Sequence, residues 1–347
     1  MSPGLHRRAF VGSALALGAC NRRADAQPAP ISLPPLKAAA RFPVGACIQA
    51  VHLQDPELAR LLVEQVSQLT PEWEMKMEYI CQPDGSFRFE GPDQIAAFAR
   101  THGLRLFGHT LVWYDQPPGA FANLDESRVR FADAYRNYIL AVVGRYRGQA
   151  VGWDVVNETV EDDGGGIRDS LWARKLGKLE HIVLAFQHAR EADPDAVLFL
   201  NDFFLETLPN KRRAFLKLAE TLLTAGAPLG GLGTQTHLAA GDQKGLIKAA
   251  IADLASLGLP IHISEMDVSL QEGGSRAERL TRQADLYREA AEAYSALPSR
   301  QQFAFTLWGL RDRESWRKRE DASDAPLLFD VNGRPKAAAA AWVQGLG

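Results

Sequence analysis

Cysteine is scarce: three in 347 residues, Cys20, Cys47 and Cys81. That excludes a disulfide-stapled scaffold. No Cys/His cluster stands at zinc-ligand spacing, and there is neither a Gly-rich phosphate loop nor an EF-hand-like loop. No charge of one sign dominates. Lys and Arg number 39 against 42 Asp and Glu, a net charge of −3, so no basic footprint for nucleic acid or an anionic membrane surface is expected. No apolar run is long enough to span a bilayer as a mature helix. With 46% hydrophobic and 23% charged residues the chain has ordinary globular composition, without low-complexity bias.

The first 27 residues differ from the rest. His6, Arg7 and Arg8 precede a short apolar stretch and then small residues, in "HRRAFVGSALALGAC". This is the pattern of an export signal, too short for a membrane anchor. Arg7-Arg8 before Ala9-Phe10-Val11 resembles a twin-arginine signal. Two processing routes stay open. "LGAC" ending at Cys20 resembles a lipoprotein box that leaves a lipid anchor, and "ADA" at 24–26 resembles an ordinary signal peptidase site. The chain is therefore expected to be exported: periplasmic, anchored at the outer membrane or secreted. Residues 28–40 begin as the proline-rich leader "PAPISLPPLK", and the folded domain is expected over 41–347. Cys47 and Cys81 could pair in an exported protein, but two cysteines in a core this large are expected unpaired and buried.

From about residue 40, short apolar runs alternate with longer amphipathic stretches. The strand candidates are 42–48, 66–72, 104–113, 150–158, 196–202, 231–237, 260–268 and 303–310. Several are apolar on consecutive residues, as in strands covered on both faces. Helical patterns lie between them. "GPDQIAAFARTHG" is stopped by Gly103, and the stretch from 125 to 148 places Val129, Ala132, Tyr135, Ile139 and Val142 on one stripe. "NKRRAFLKLAETLLTAG", "RAERLTRQADLYREAAEAYSAL" and "PKAAAAAWVQGL" behave alike. Eight strand–helix repeats predict an α/β fold, a single-domain (β/α)8 TIM barrel. A doubly wound open sheet would normally carry a Gly-rich first turn, which is missing.

Polar groups close most of these strands: Glu72, His109, Asn157-Glu158, Asn201-Asp202, Gln235 with His237, Glu265 with Asp267, and Trp308. One such group is usually a cap or a loop ion pair. Seven strand ends together point to the carboxyl-terminal mouth where barrel enzymes place their sites. Glu158 ends "WDVVNE" on the fourth strand and Glu265 lies in "HISEMD" on the seventh. They can face each other across the mouth. Two facing carboxylates among tryptophans suit glycoside hydrolysis, one held protonated for the leaving oxygen and one ionised toward the anomeric carbon.

The motifs "MKME", "GHTLVW", "WDVVNE", "NDF", "GLGTQTHL", "SEMD" and "LWGLRDRESW", with the tail "PLLFDVNGRPKAAA", together resemble glycoside hydrolase family 10, the endo-1,4-β-xylanases. The resemblance spans roughly residues 42–345. It implies a retaining mechanism, with Glu158 as general acid/base and Glu265 as nucleophile. It also implies that Asn157 bonds the sugar 2-hydroxyl and that His237 touches the nucleophile, with Asp267 orienting the imidazole. Glu72, Lys76, His109, Trp113 and Gln235 would bind sugar near the cleavage point, walled by Trp308 and Trp316. No cofactor or metal is implied, because the chemistry needs two carboxylates and water. The expected partner is xylan or a xylo-oligosaccharide, and the chain is expected to be a monomer.

The sequence departs from the family's pattern around substrate. Trp73 stands where Asn is usual, Met77 for Trp, Tyr114 for His, and Phe203-Phe204 for Tyr-Asn. Trp73 and Tyr114 are therefore expected to mark an altered subsite. Same-mechanism hydrolysis of xylo-oligosaccharides, β-glucans or aryl glycosides is the alternative, and a non-catalytic carbohydrate-binding barrel is a further one. His262 is expected on the outer barrel wall, because side chains alternate and Glu265 faces in. His52, His102, His181 and His188 read as surface or helix residues, and Glu161-Asp162-Asp163 as a solvated loop.

Overall fold

A computed structural model describes residues 31–347 except 123, 125, 126, 272, 273 and 320. The export signal, Cys20 and residues 28–30 of the leader lie outside the described residues. Eight strands form a closed parallel barrel: β1 (Val44–Ile48), β2 (Gln68–Pro71), β3 (Arg105–Gly108), β4 (Ala150–Asn157), β5 (Val197–Asp202), β6 (Gly231–Thr234), β7 (Ile261–Ser269) and β8 (Gln302–Leu307). Each pairs with its neighbour in chain order, and β8 closes on β1 through Val44 and Phe305. The TIM barrel read from the strand–helix alternation is the fold observed. Two predicted strands are interrupted. The run 104–113 splits into β3 and a short piece, Val112–Trp113, and 231–237 splits into β6 and His237–Ala239. Both breaks fall at the mouth, where the polar residues sit.

Local signals set the helix ends. Asp55 caps Pro56–Gln65 by accepting from the Glu57 and Leu58 N–H groups, with Pro56 at the first helical position. Ser275 and Glu278 form a capping box at the start of Arg276–Ser295. In Arg128–Arg145 the buried stripe is Phe131, Tyr135, Tyr138, Ile139, Val142 and Val143, whereas Val129 is 69% exposed. The expected stripe was wrong at that end because steps of three residues drift. Val129 lies about 120° round the helix from Tyr135, and Phe131 only about 40°. The leader boundary also moves. Residues Leu36–Ala39 are helical, and Leu36 is buried with its N–H on Gln65 Oε1 at 3.1 Å. Cys47 and Cys81 are free and buried.

His262 overturns another expectation, for it faces into the barrel. Its ring lies 4.5 Å from Phe107 on β3 and 5.7 Å from Phe199 on β5, strands that do not neighbour β7. The reason is a β-bulge. Phe305 pairs with Ile263 but Leu307 with Met266, so three residues of β7 pass two of β8. The extra residue resets the in–out alternation. His262 and Glu265 then share the inner face. His262, Phe107, Phe199 and Phe303 fill the barrel below the mouth with rings, and Thr306 Oγ1 meets His262 Nε2 at 2.8 Å. Burial lowers the pKa of this imidazole well below its usual value, so it is neutral core, not a site residue.

Candidate active site

The mouth of the barrel opens into a cleft of about 920 Å³. Glu158 and Glu265 both line it, with Glu72, Trp73, Lys76, His109, Trp113, Asn157, Gln235, His237, Trp308 and Trp316. A second depression of about 680 Å³ lies between the 163–167 loop and the helix Pro209–Thr224, and neither carboxylate reaches it.

Glu158 follows the last residue of β4 and takes a left-handed backbone, φ +58°. For a residue with a Cβ that conformation costs about 1–2 kcal/mol. Its carboxylate is held by three donors. Trp113 Nε1 reaches Oε2 at 2.7 Å, while Gln235 Nε2 and Asn157 Nδ2 reach Oε1 at 2.8 and 3.1 Å.

Glu265 is buried on β7, with Oε1 accepting from Asn201 Nδ2 at 2.9 Å. Its Oε2 lies 3.5 Å from His237 Nε2, and Oε1 lies 3.9 Å from His109 Nδ1. Burial opposes its ionisation, but the charges of His109, His237 and Lys76 outweigh that and lower its pKa. His237 Nδ1 meets Asp267 Oδ1 at 3.0 Å. Burial works against the imidazolium, yet Asp267 and Glu265 prevail and raise His237 to about 9. Asp267 lies behind the cleft, fully buried. It accepts from Trp316 Nε1 at 2.8 Å and Arg317 Nε at 2.9 Å. The expected Asp–His–Glu chain is therefore present as a geometry. It favours an ionised Glu265.

The two carboxylates are joined through amides. Asn201 Nδ2, besides bonding Glu265, donates to Asn157 Oδ1 at 2.8 Å, and Asn157 bonds Glu158. Ser264 Oγ donates to Asn201 Oδ1 at 2.7 Å and fixes which way that amide points. Around this centre, Lys76 Nζ sits 4.6 Å above the Trp113 ring and 5.9 Å from that of Trp73. Trp308 meets His109 edge-on at 5.1 Å. Glu72 is buried, with Arg319 Nη2 at 3.7 Å, and burial raises its pKa.

Three important residues were missed. Asp154, within "WDVVNE", is buried and holds His109 Nδ1 at 2.9 Å. Burial raises its pKa to about 6 despite the imidazole. The signal was there, since an Asp inside an apolar strand is as expensive as Glu158 unless partnered. Asn201 was seen as a strand end but not as the link between carboxylates. Arg317, on Asp267, carried no visible signal. Two departures lie elsewhere than expected. Tyr114 is not among the cleft-lining residues but lies under the Arg168 guanidinium at 4.4 Å, and Met77 is core. Trp73, Phe203 and Phe204 do line the cleft.

The family model of glycosyl hydrolase family 10 matches residues 35–345. This chain belongs to glycosyl hydrolase family 10. It is 36% identical over 318 residues to a beta-1,4-xylanase of Dictyoglomus thermophilum, covering 86% of each. It is 33% identical to Exoglucanase XynX of Acetivibrio thermocellus over 86% of this chain, but spans only 28% of that longer protein. Among solved structures, native xylanase 10B from Thermotoga maritima superposes with a TM-score of 0.83 at 30% identity, covering 90% of this chain and 98% of that one.

Proposed function

We propose that this family 10 glycosidase is an endo-1,4-β-xylanase that cleaves internal bonds of xylan with retention of configuration. The observation that carries the reading is the pair Glu158 and Glu265 on one cleft, each with its own donor set. Glu265 attacks the anomeric carbon while Glu158 gives its proton to the leaving glycosidic oxygen. Glu158, now a carboxylate, then takes a proton from water as that water displaces Glu265. Retaining enzymes hold the two groups about 5 Å apart and inverting enzymes about 6.5–9.5 Å. His109 and His237, the latter held by Asp267, favour the ionised Glu265 that makes the attack. Asn157 faces the sugar 2-hydroxyl, where a hydrogen bond strengthens in the transition state. Trp308 and Trp316 offer flat apolar walls that fit a sugar's C–H faces.

The finer reading of the departures is that Trp73 and the Phe203-Phe204 pair reshape the sugar sites flanking the cleavage point. The chain is further proposed to be exported, and mass spectrometry of the mature N-terminus would distinguish lipidation at Cys20 from cleavage after residue 26. No helix among the described residues is long and apolar enough to cross a membrane. The test of activity is reducing-sugar release from glucuronoxylan, arabinoxylan and cellulose, with Glu265→Ala as control. Release from the xylans that vanishes in the variant is expected. Equal release by the variant, or preference for cellulose, would overturn the reading.

A further inference from the structure

Glu158 is a residue whose direction must be imposed, because its left-handed backbone is not one it would choose. Both of its peptide groups are pinned. Its N–H donates to Asn201 O at 2.9 Å, and its C=O accepts from Arg168 Nε at 3.1 Å. We propose that Arg168 is the positioning residue for Glu158, the clip that holds the acid/base carboxyl toward the glycosidic oxygen. This rests on the reading of Glu158 as acid/base.

The guanidinium fastens the loop that leaves the site. Nη2 donates to Val160 O at 2.9 Å and to Asp162 Oδ1 at 2.8 Å. The Arg168 N–H donates to Thr159 O at 2.7 Å, closing the segment on itself. Asp162, read from sequence as merely solvated, is thus part of the brace. It also meets Lys211 Nζ at 3.1 Å, and Lys211 in turn meets Asp202 Oδ1 at 2.9 Å. Asp202 Oδ2 accepts from Val160 N at 3.0 Å. On its other face the guanidinium stacks on Tyr114 at 4.4 Å. Tyr114 adjoins Trp113, whose indole donates to the Glu158 carboxylate from the front. One planar cation therefore braces the backbone behind Glu158 and the aromatic pair before it. Only arginine can do both, since lysine offers a point charge, without the fork or the stacking face. Arg168 is not among the residues that line the cleft.

The test exploits leaving-group chemistry. A dinitrophenolate departs without a proton, whereas a sugar alcohol needs one. Arg168→Lys, Glu158→Ala and wild type are compared by kcat/KM on xylotetraose and on dinitrophenyl β-xylobioside. Misplaced general acids forfeit part of the 10²–10⁴-fold that proton transfer supplies, so Arg168→Lys is expected to lose about tenfold or more on xylotetraose. It should lose less than about threefold on the aryl substrate. Asp162→Asn, at a position whose side chain is 56% exposed, should show the same asymmetry at smaller size, which covers the case of an unfolded lysine variant. Equal losses on both substrates, or none, in Arg168→Lys and Asp162→Asn would overturn the assignment. If Glu158→Ala itself shows no asymmetry, it is the acid/base reading that fails.

Discussion

Replacing His237 by Asn isolates the electrostatic support of the nucleophile. Asp267 stays satisfied in the variant, because Trp316 and Arg317 still donate to it. What Glu265 loses is a cation with Nε2 3.5 Å from its Oε2. At that distance, with an effective dielectric constant of about 20, the attraction is about 4–5 kcal/mol. The charges of His109 and Lys76 remain, and solvent relaxes. If these cancel two-thirds, about 1.5 kcal/mol survives, roughly a tenfold bias against the ionised nucleophile. The kcat/KM of free enzyme on xylotetraose, followed against pH, reads this directly. Its acid limb should move to higher pH, with about tenfold loss on that limb and a smaller loss at the plateau. An acid limb that stays in place, or moves to lower pH, would refute the coupling.

The same imidazole contributes to stability with a defined sign. Its folded pKa is about 9 against an ordinary 6.5, so its contribution is full below 6.5 and lost as pH rises through 9. Calorimetric Tm values should carry that fall between the two pH values, and the His237→Asn variant should lack it. At Trp73, substitution by Asn removes an indole from the cleft wall and supplies an amide, so product lengths from linear and branched xylan should change by chromatography. Unchanged products would remove Trp73 from the specificity account. Gly108 has no room for a side chain, since a Cβ there would lie 2.0 Å from the Trp153 ring. Gly108→Ala should destabilise by about 3 kcal/mol in urea titration.

The barrel was legible because its strands are apolar on successive residues, and only a sheet covered on both faces needs that. Glu158 and Glu265 were legible for the converse reason, as charges set against apolar strand segments, Glu158 just past the end of β4 and Glu265 inside β7. The bulge in β7 was not legible. It depends on which residues of β8 stand opposite, and that is settled by packing, not by local pattern. His262 was therefore placed on the wrong face. Asn201 looked like one more polar strand end, and its bridging role needs β4, its neighbour β5 and, beyond β6, β7 to converge at the mouth. Arg168 sits ten residues past Glu158 in a glycine-rich loop, where an arginine reads as ordinary surface charge. Its effect comes from folding back onto the peptide it clips.

Retaining hydrolysis at this cleft requires Glu265 to form the covalent bond to sugar. Incubation with an activated 2-deoxy-2-fluoro-β-xylobioside, followed by proteolysis and mass mapping, tests it most directly. The fluorine slows turnover, so the glycosyl-enzyme should accumulate with the label on the peptide carrying Glu265. A label on another residue, or no covalent species together with inverted product by NMR, would contradict it.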